Sequence, residues 1–308
     1  MIKKYLYNFF LKNFLRKKTY MIGLSHFLSL RKDYSNISLL SDVDYKVFSQ
    51  NGEDGILDYL LYQLGIQKPK FLEIGVGDYT ECNTRFIFER YSACGTIIDC
   101  IDNLEQKVKK NLELWKGNLK IINEKVNSKN VHDLIINTKN FLDLDVFSLD
   151  IDGIDYWIIE KLPEDFSKIV ILEYNHIFGN DLKVTVPNIE NFDRSDYHYS
   201  NLCFGMSIKA AIEIMEKKNF YFIGTNLLRN NAFFVSKNYP KNKFFQNLII
   251  EDPTYSANAT FRESRDVKGN LNYLSGKNKI QEISECEVVE LVDSDYKKIK
   301  IKDLFNLV

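Results

Sequence analysis

From Phe71 onward, apolar runs and helix-periodic stretches alternate with little interruption, and this alternation restricts the chain to a small set of folds. Apolar runs at 71–76, 95–101, 119–126, 146–151 and 168–174 are separated by helical stretches at about 80–92, 103–115, 129–139 and 155–162. Strands that alternate with helices pair in parallel through right-handed crossovers. Two further apolar runs, 220–223 and 232–235, follow a helical stretch at 206–218 and lie too close together for a helical crossover, which predicts an antiparallel pair. The expected fold is α/β: a mostly parallel seven-stranded sheet with an antiparallel C-terminal hairpin.

In such a sheet, ligands occupy the crevice at the carboxyl ends of the strands, so polar residues at those ends are the candidate site. The first strand ends in Phe71-Leu72-Glu73-Ile74-Gly75-Val76-Gly77-Asp78. Two glycines let the backbone turn tightly against a ligand. A dinucleotide fingerprint wants a third glycine where this chain has Thr80, so a dehydrogenase is disfavoured. Glu73 could instead meet a cationic or hydroxylated part of a nucleoside ligand, as in S-adenosylmethionine. Asn83 and Thr84 open the next helix, where free backbone N–H groups could hold a carboxylate. Asp99 ends the second strand at the separation from the glycine turn that suits ribose hydroxyls, with Asp102 as the fallback.

The fourth strand ends in Asp150-Ile151-Asp152-Gly153 and the fifth in Glu173-Tyr174-Asn175-His176. Asp150, Asp152, Glu173 and Asn175 could hold Mg²⁺ or Ca²⁺, which prefer oxygen ligands. Without a metal, the same carboxylates would supply a general base whose pKa is raised by its neighbours. His176 is a further base candidate or a solvated loop histidine. His198 falls in the aperiodic polar segment 176–203, which reads as a lid. His26 and His132 lack such context and read as structural.

Charge narrows the partners. Residues 1–32 carry eight bases and no acid, which leaves 33 basic against 42 acidic residues in the rest, so the main body is a poor nucleic-acid binder. Ile2, Leu6, Phe9, Phe10 and Phe14 recur at helical spacing among those bases; such a helix could lie on an anionic membrane surface or dock on its own protein. The expected organisation is a basic arm and linker at 1–44, a main domain at 45–238 and a C-terminal extension at 239–308. Five cysteines without zinc or redox spacing suit a reducing cytoplasm. No run approaches membrane-spanning length, and no secretory signal is expected.

The assembled residues resemble the S-adenosylmethionine-dependent methyltransferase superfamily, and within it an FkbM-like group. The likeness rests on Ser49-Gln50-Asn51-Gly52-Glu53-Asp54, the Phe71–Gly75 run, Ser148-Leu149-Asp150-Ile151-Asp152-Gly153 and Ile171-Leu172-Glu173-Tyr174-Asn175. Phe204-Gly205-Met206-Ser207, Asn231-Ala232-Phe233-Phe234-Val235 and Phe261-Arg262-Glu263-Ser264-Arg265 agree with it, so that the resemblance spans about residues 46 to 275. It implies a Rossmann-like methyltransferase fold and methyl transfer to a hydroxyl of a sugar or glycan precursor. It carries over Glu73, Gly75, Gly77 and Asp99 as cofactor residues, with Gln50 and Asn83. Many relatives have an acid-x-Glu-Gly where this chain has Asp150-Ile151-Asp152-Gly153, and the shorter acid would shift the base or favour a metal. The location implied is cytoplasmic, at the inner membrane face if the arm binds lipid. Two other readings stand beside it: a metal-dependent glycosyltransferase using Asp150-x-Asp152, and a non-catalytic binding module.

Overall fold

A computed structural model describes residues 21–23, 26, 29, 31–112, 114–136, 143–249, 263–292 and 295–306. The predicted arm helix within residues 1–20 and the residues Phe261 and Arg262 lie outside them.

Five strands, β1 (Lys70–Ile74), β2 (Cys94–Asp99), β3 (Asn118–Asn123), β4 (Val146–Leu149) and β5 (Ile169–Glu173), run parallel; the inner ones are largely apolar and buried, whereas the edge strand β3 alternates exposed and half-buried residues. The sheet is closed by β7 (Phe220–Thr225) and β8 (Asn231–Ser236), with β8 antiparallel to both β5 and β7. Its order is β3-β2-β1-β4-β5-β8-β7, the expected seven-stranded plan. Successive residues of each strand feed two cores on opposite faces. Leu72, Phe147, Leu149, Val170 and Leu172 pack on one side, whereas Phe71, Val146, Ile169, Ile171 and Phe233 pack on the other. The order reverses direction between β1 and β4, which opens a crevice there.

The polar segment 49–54 explains itself once folded. Asp54 sits in the first turn of helix α1 (Glu53–Gln63), and its Oδ2 accepts the amides of Val47, Phe48 and Ser49 at 2.6–2.9 Å. Gly52, at φ +97°, makes the turn that leads into the helix. Helix α2 (Arg85–Tyr91) begins later than its periodicity suggested, because residues 76–84 form a loop pinned by Arg85, whose guanidinium donates to the carbonyls of Tyr79, Thr80 and Asn111.

Two regions differ from the sequence-based expectation. Residues 31–43, expected as a linker, form short 3-10 turns in which Tyr34, Ile37, Leu40 and Val43 are buried. The aperiodic segment 176–203 contains a 3-10 turn (His176–Phe178), strand β6 (Val184–Thr185) and helix α6 (Arg194–Tyr197). Helices α3 (Leu104–Asn111), α4 (Val131–Ile136) and α5 (Asp155–Lys161) are the crossovers between β2 and β5. From the C-terminal part, β9 (Glu287–Val292) pairs with β6 on one side and β10 (Asp295–Lys300) on the other, forming a second, three-stranded sheet. Ile283, Val288, Leu291 and Ile301 share the main core, so this sheet braces the segment that borders the crevice. No described helix is long and apolar enough to cross a membrane.

Candidate active site

The crevice is a cavity of about 640 Å³ at the carboxyl ends of β1, β2, β4, β5 and the start of β8. Gln50, Glu73, Gly75, Gly77, Asn83, Asp99, Asp150, Asp152 and Glu173 all line it, which gathers most of the sequence-predicted residues in one place. Among the described residues, its wall holds eleven carboxylates against Lys125 and Arg194. Such a cavity favours cations and neutral hydrogen-bond donors over anions.

At one end, the glycine turn is set by close packing. A β-carbon on Gly75 would lie 1.6 Å from the Asp150 carbonyl oxygen, and Gly75 also has φ +85°. Gly77, at φ +52°, faces open space. Asp99 fastens this loop: its Oδ2 accepts the amides of Val76 and Gly77, each at 2.7 Å, and its Oδ1 accepts that of Ile101 at 3.0 Å. A carboxylate offers about four acceptor positions, so one remains for a ligand hydroxyl.

Glu73 is deeply buried. Its carboxylate accepts the Asn83 amide at 2.9 Å, the Thr84 amide at 3.1 Å and the Thr84 hydroxyl at 2.5 Å. The amides expected to be free for a ligand carboxylate are therefore given to Glu73, because the sharp turn after β1 brings the start of α2 back onto it. Burial pushes the Glu73 pKa up to about 7 in spite of these bonds. The Asn83 side chain reaches Ser148 Oγ at 3.0 Å.

At the other end, Asp150, Asp152 and Glu173 place one carboxylate oxygen each within 4.8 Å of one another. Asp150 and Glu173 hydrogen-bond to each other; burial, then the neighbouring carboxylates, raises both pKa values well above the ordinary range. The turn that carries Asp152 is held by Asp155, which accepts the amides of Ile151 and Gly153, and whose pKa burial raises to about 6. Asp152 itself has φ +52°. It keeps 39% of its side chain open, yet the surrounding protein still raises its pKa. Arg194 of α6 donates Nη1 to Asp152 Oδ1 at 2.5 Å and lies over the Phe204 ring.

Three predicted residues are directed elsewhere. The Asn175 amide is spent on backbone: Nδ2 donates to Leu202 and Phe204 carbonyls, and Oδ1 accepts from Ile177 N. It thereby caps the turn that sends His176 away from the cavity, toward Lys279 in α7 (Lys277–Glu282), with Nε2 3.2 Å from the Lys279 Nζ. Burial lowers the His176 pKa to about 4. His198 contacts Ser200 Oγ at 2.7 Å and does not line the cavity.

Sequence reading did not single out Arg194, Asp155, Asn230, Asn231 or Glu263 as site residues, and Arg194, Asn230, Asn231 and Glu263 line the cavity. Asn231 starts β8 in register with Glu173, and its Nδ2 donates to the buried Glu53 at 2.7 Å. The polar pair Asn230-Asn231 ahead of an apolar strand was the available signal.

No family model matches the chain. A flavodoxin from Buchnera aphidicola subsp. Baizongia pistaciae is 28% identical over 151 residues, covering 48% of this chain and 83% of the flavodoxin. Flavodoxin sheets run in the order 2-1-3-4-5, whereas here β2 lies between β1 and β3 and β8 enters antiparallel, so the topologies differ. Among solved structures, PKMT2 from Rickettsia typhi in complex with AdoHcy matches at 11% identity and TM-score 0.36, over 76% of this chain and 60% of that one. A sarcosine dimethylglycine methyltransferase, so described, from Galdieria sulphuraria matches at 10% identity and TM-score 0.34, over 55% and 63%. An O-methyltransferase family 2 protein from Planctomyces limnophilus, complexed with apigenin, matches at 15% identity and TM-score 0.32, over 70% and 61%. The chain thus covers 60–63% of the length of these three structures.

Proposed function

We propose that the chain is an S-adenosylmethionine-dependent methyltransferase of the FkbM-like kind, acting on a hydroxyl of a sugar or glycan precursor. The observation that carries this reading is one cavity with two differently equipped ends: a glycine turn tied to Asp99, and the carboxylate group Asp150, Asp152 and Glu173. The volume lies in the range of small-ligand sites, and the acidic wall suits a cationic sulfonium compound. When bound, S-adenosylmethionine supplies an electrophilic methyl group. Asp99 has an acceptor position left for ribose, Gly77 allows close backbone approach, and Gln50 and Asn83 border the same end.

At the far end, Asp150 and Glu173 share a hydrogen bond and hold raised pKa values, so a deprotonated member of the pair would accept the proton of an acceptor hydroxyl at a carboxylate oxygen. Orientation within the cavity supplies the rest of the acceleration. The eleven acids of the wall weigh against a nucleotide-sugar diphosphate, and hence against the glycosyltransferase reading of Asp150-x-Asp152. The protein would work in the cytoplasm, with residues 1–32 against the inner membrane face. Calorimetric titration with S-adenosylhomocysteine, and separately with nucleotide-sugars plus Mn²⁺, tests the reading: binding of the nucleotide-sugar alone would replace it.

A further inference from the structure

We infer that the side-chain oxygen of Asn231 is the neutral fourth ligand of a divalent-cation site whose other ligands are Asp150, Asp152 and Glu173. The inference deepens the methyl-transfer reading and rests on it for what the cation would do.

Asn231 and Glu173 are paired residues on adjacent strands, so their side chains leave the same face of the sheet with β-carbons about 5 Å apart. Both border the cavity. The Asn231 side chain is only 3% exposed, and among the described residues its Oδ1 has no hydrogen-bond partner. A buried acceptor left unmet is costly, and a ligand there would relieve that cost.

Glu53 decides which way the amide faces. Its carboxylate, fully buried at the start of α1, accepts Asn231 Nδ2 at 2.7 Å, Asn226 Nδ2 at 2.8 Å and the Asn51 amide at 2.8 Å. Turning the Asn231 amide over would press oxygen against a carboxylate, so Oδ1 is held as the unpaired acceptor.

The donor set is entirely oxygen: three carboxylates with oxygens within 4.8 Å of one another, and one amide oxygen from the strand beside Glu173. Hard divalent cations prefer such sets. Among the described residues, Arg194 supplies the positive charge at Asp152, one against three carboxylates. Asn175, the amide expected in this role from sequence, is already spent on Leu202, Phe204 and Ile177. A cation there would lower the pKa of a bound acceptor hydroxyl.

The full chain, stripped with EDTA, is titrated with Mn²⁺ while free ion is followed by electron paramagnetic resonance, and in parallel with S-adenosylhomocysteine by calorimetry. One Mn²⁺ per chain is expected. Asn231→Ala should weaken it at least 10-fold and Asp150→Asn at least 100-fold, with S-adenosylhomocysteine affinity changed less than 2-fold. Asn231→Ser serves in the same way should the alanine variant fail to fold. Absence of Mn²⁺ binding to the wild type, or equal binding in the Asn231 variants, overturns the inference. Mn²⁺ binding that falls in the Asn231 variants while S-adenosylhomocysteine is not bound would uphold the cation site and remove the methyltransferase reading instead.

Discussion

Asp99 holds Gly77: the acid that ends β2 accepts the Gly77 amide at 2.7 Å, and the adjacent Val76 amide at the same distance. The residue expected to hold a ribose is thus also the residue that shapes the glycine turn. Asp99→Ala removes both roles, and charge-assisted bonds are worth about 1.5–3 kcal/mol each. S-adenosylhomocysteine affinity should fall by roughly 10- to 150-fold, measured by calorimetry. Unchanged affinity would take Asp99 out of the cofactor site.

Glu173→Gln should separate chemistry from cofactor binding. It removes one partner of the Asp150–Glu173 pair, so methyl transfer to an accepted hydroxyl substrate should fall by about 100-fold or more while cofactor affinity stays near wild type. With no cation bound, burial and mutual repulsion raise both pKa values, so the rate of the EDTA-stripped protein should climb with pH well beyond the ordinary carboxylate range before it levels off. A rate already level in mild acid would exclude this pair as the base.

Gly75 and Gly77 should respond very differently to the same substitution. Gly75→Ala would drive a β-carbon to 1.6 Å from the Asp150 backbone oxygen at φ +85°, against a residue whose amide is hydrogen-bonded to the Ile74 carbonyl. A loss of about 3 kcal/mol or more is expected. Gly77→Ala meets open space and pays only the left-handed conformation, about 1–2 kcal/mol. Urea denaturation of both variants checks the order, which a reversed ranking would refute.

Stability should decline as pH rises from mild acid to neutrality. Burial raises Asp54 from 3.8, and Glu73 from 4.5, to about 7 each, so the folded chain binds these protons more tightly than the unfolded one. Their contribution is full below about pH 4 and lost as pH rises through about 7. The melting temperature should be higher near about pH 5 than near about pH 8, and Asp54→Asn, a mimic of the protonated acid, should flatten the difference. An Asp54→Asn variant whose melting temperature changes with pH as much as the wild type's would show that Asp54 holds no extra proton in the fold.

Removing residues 1–20 should abolish sedimentation with anionic vesicles and leave S-adenosylhomocysteine binding intact. Six of the eight N-terminal bases lie there, each contributing on the order of 1 kcal/mol near an anionic surface. Salt should weaken the attraction. A truncated chain that melts earlier, together with no vesicle binding by the full chain even at low salt, would assign the arm to intramolecular packing.

Local sequence determined the sheet and much of the crevice. Strand β4 and its neighbours are recognisable because buried parallel strands are apolar on both faces, and Asp99, Asp150 and Glu173 stand at or just beyond strand ends, where the chain itself says the crevice must be. The two-residue β6 was not legible, since so short a strand has no period and exists through β9, more than a hundred residues later in the chain. Asn175 and His176 follow β5 directly, yet a side-chain cap turns them away from the cavity, a choice made by the carbonyls of Leu202 and Phe204. Arg194 meets Asp152 across 42 residues, and Asn231 is oriented by Glu53 across 178. A strand's period is written in consecutive residues, whereas the partner of a buried polar group is chosen by whichever distant segment packing brings within hydrogen-bond reach, and only the tertiary structure decides that.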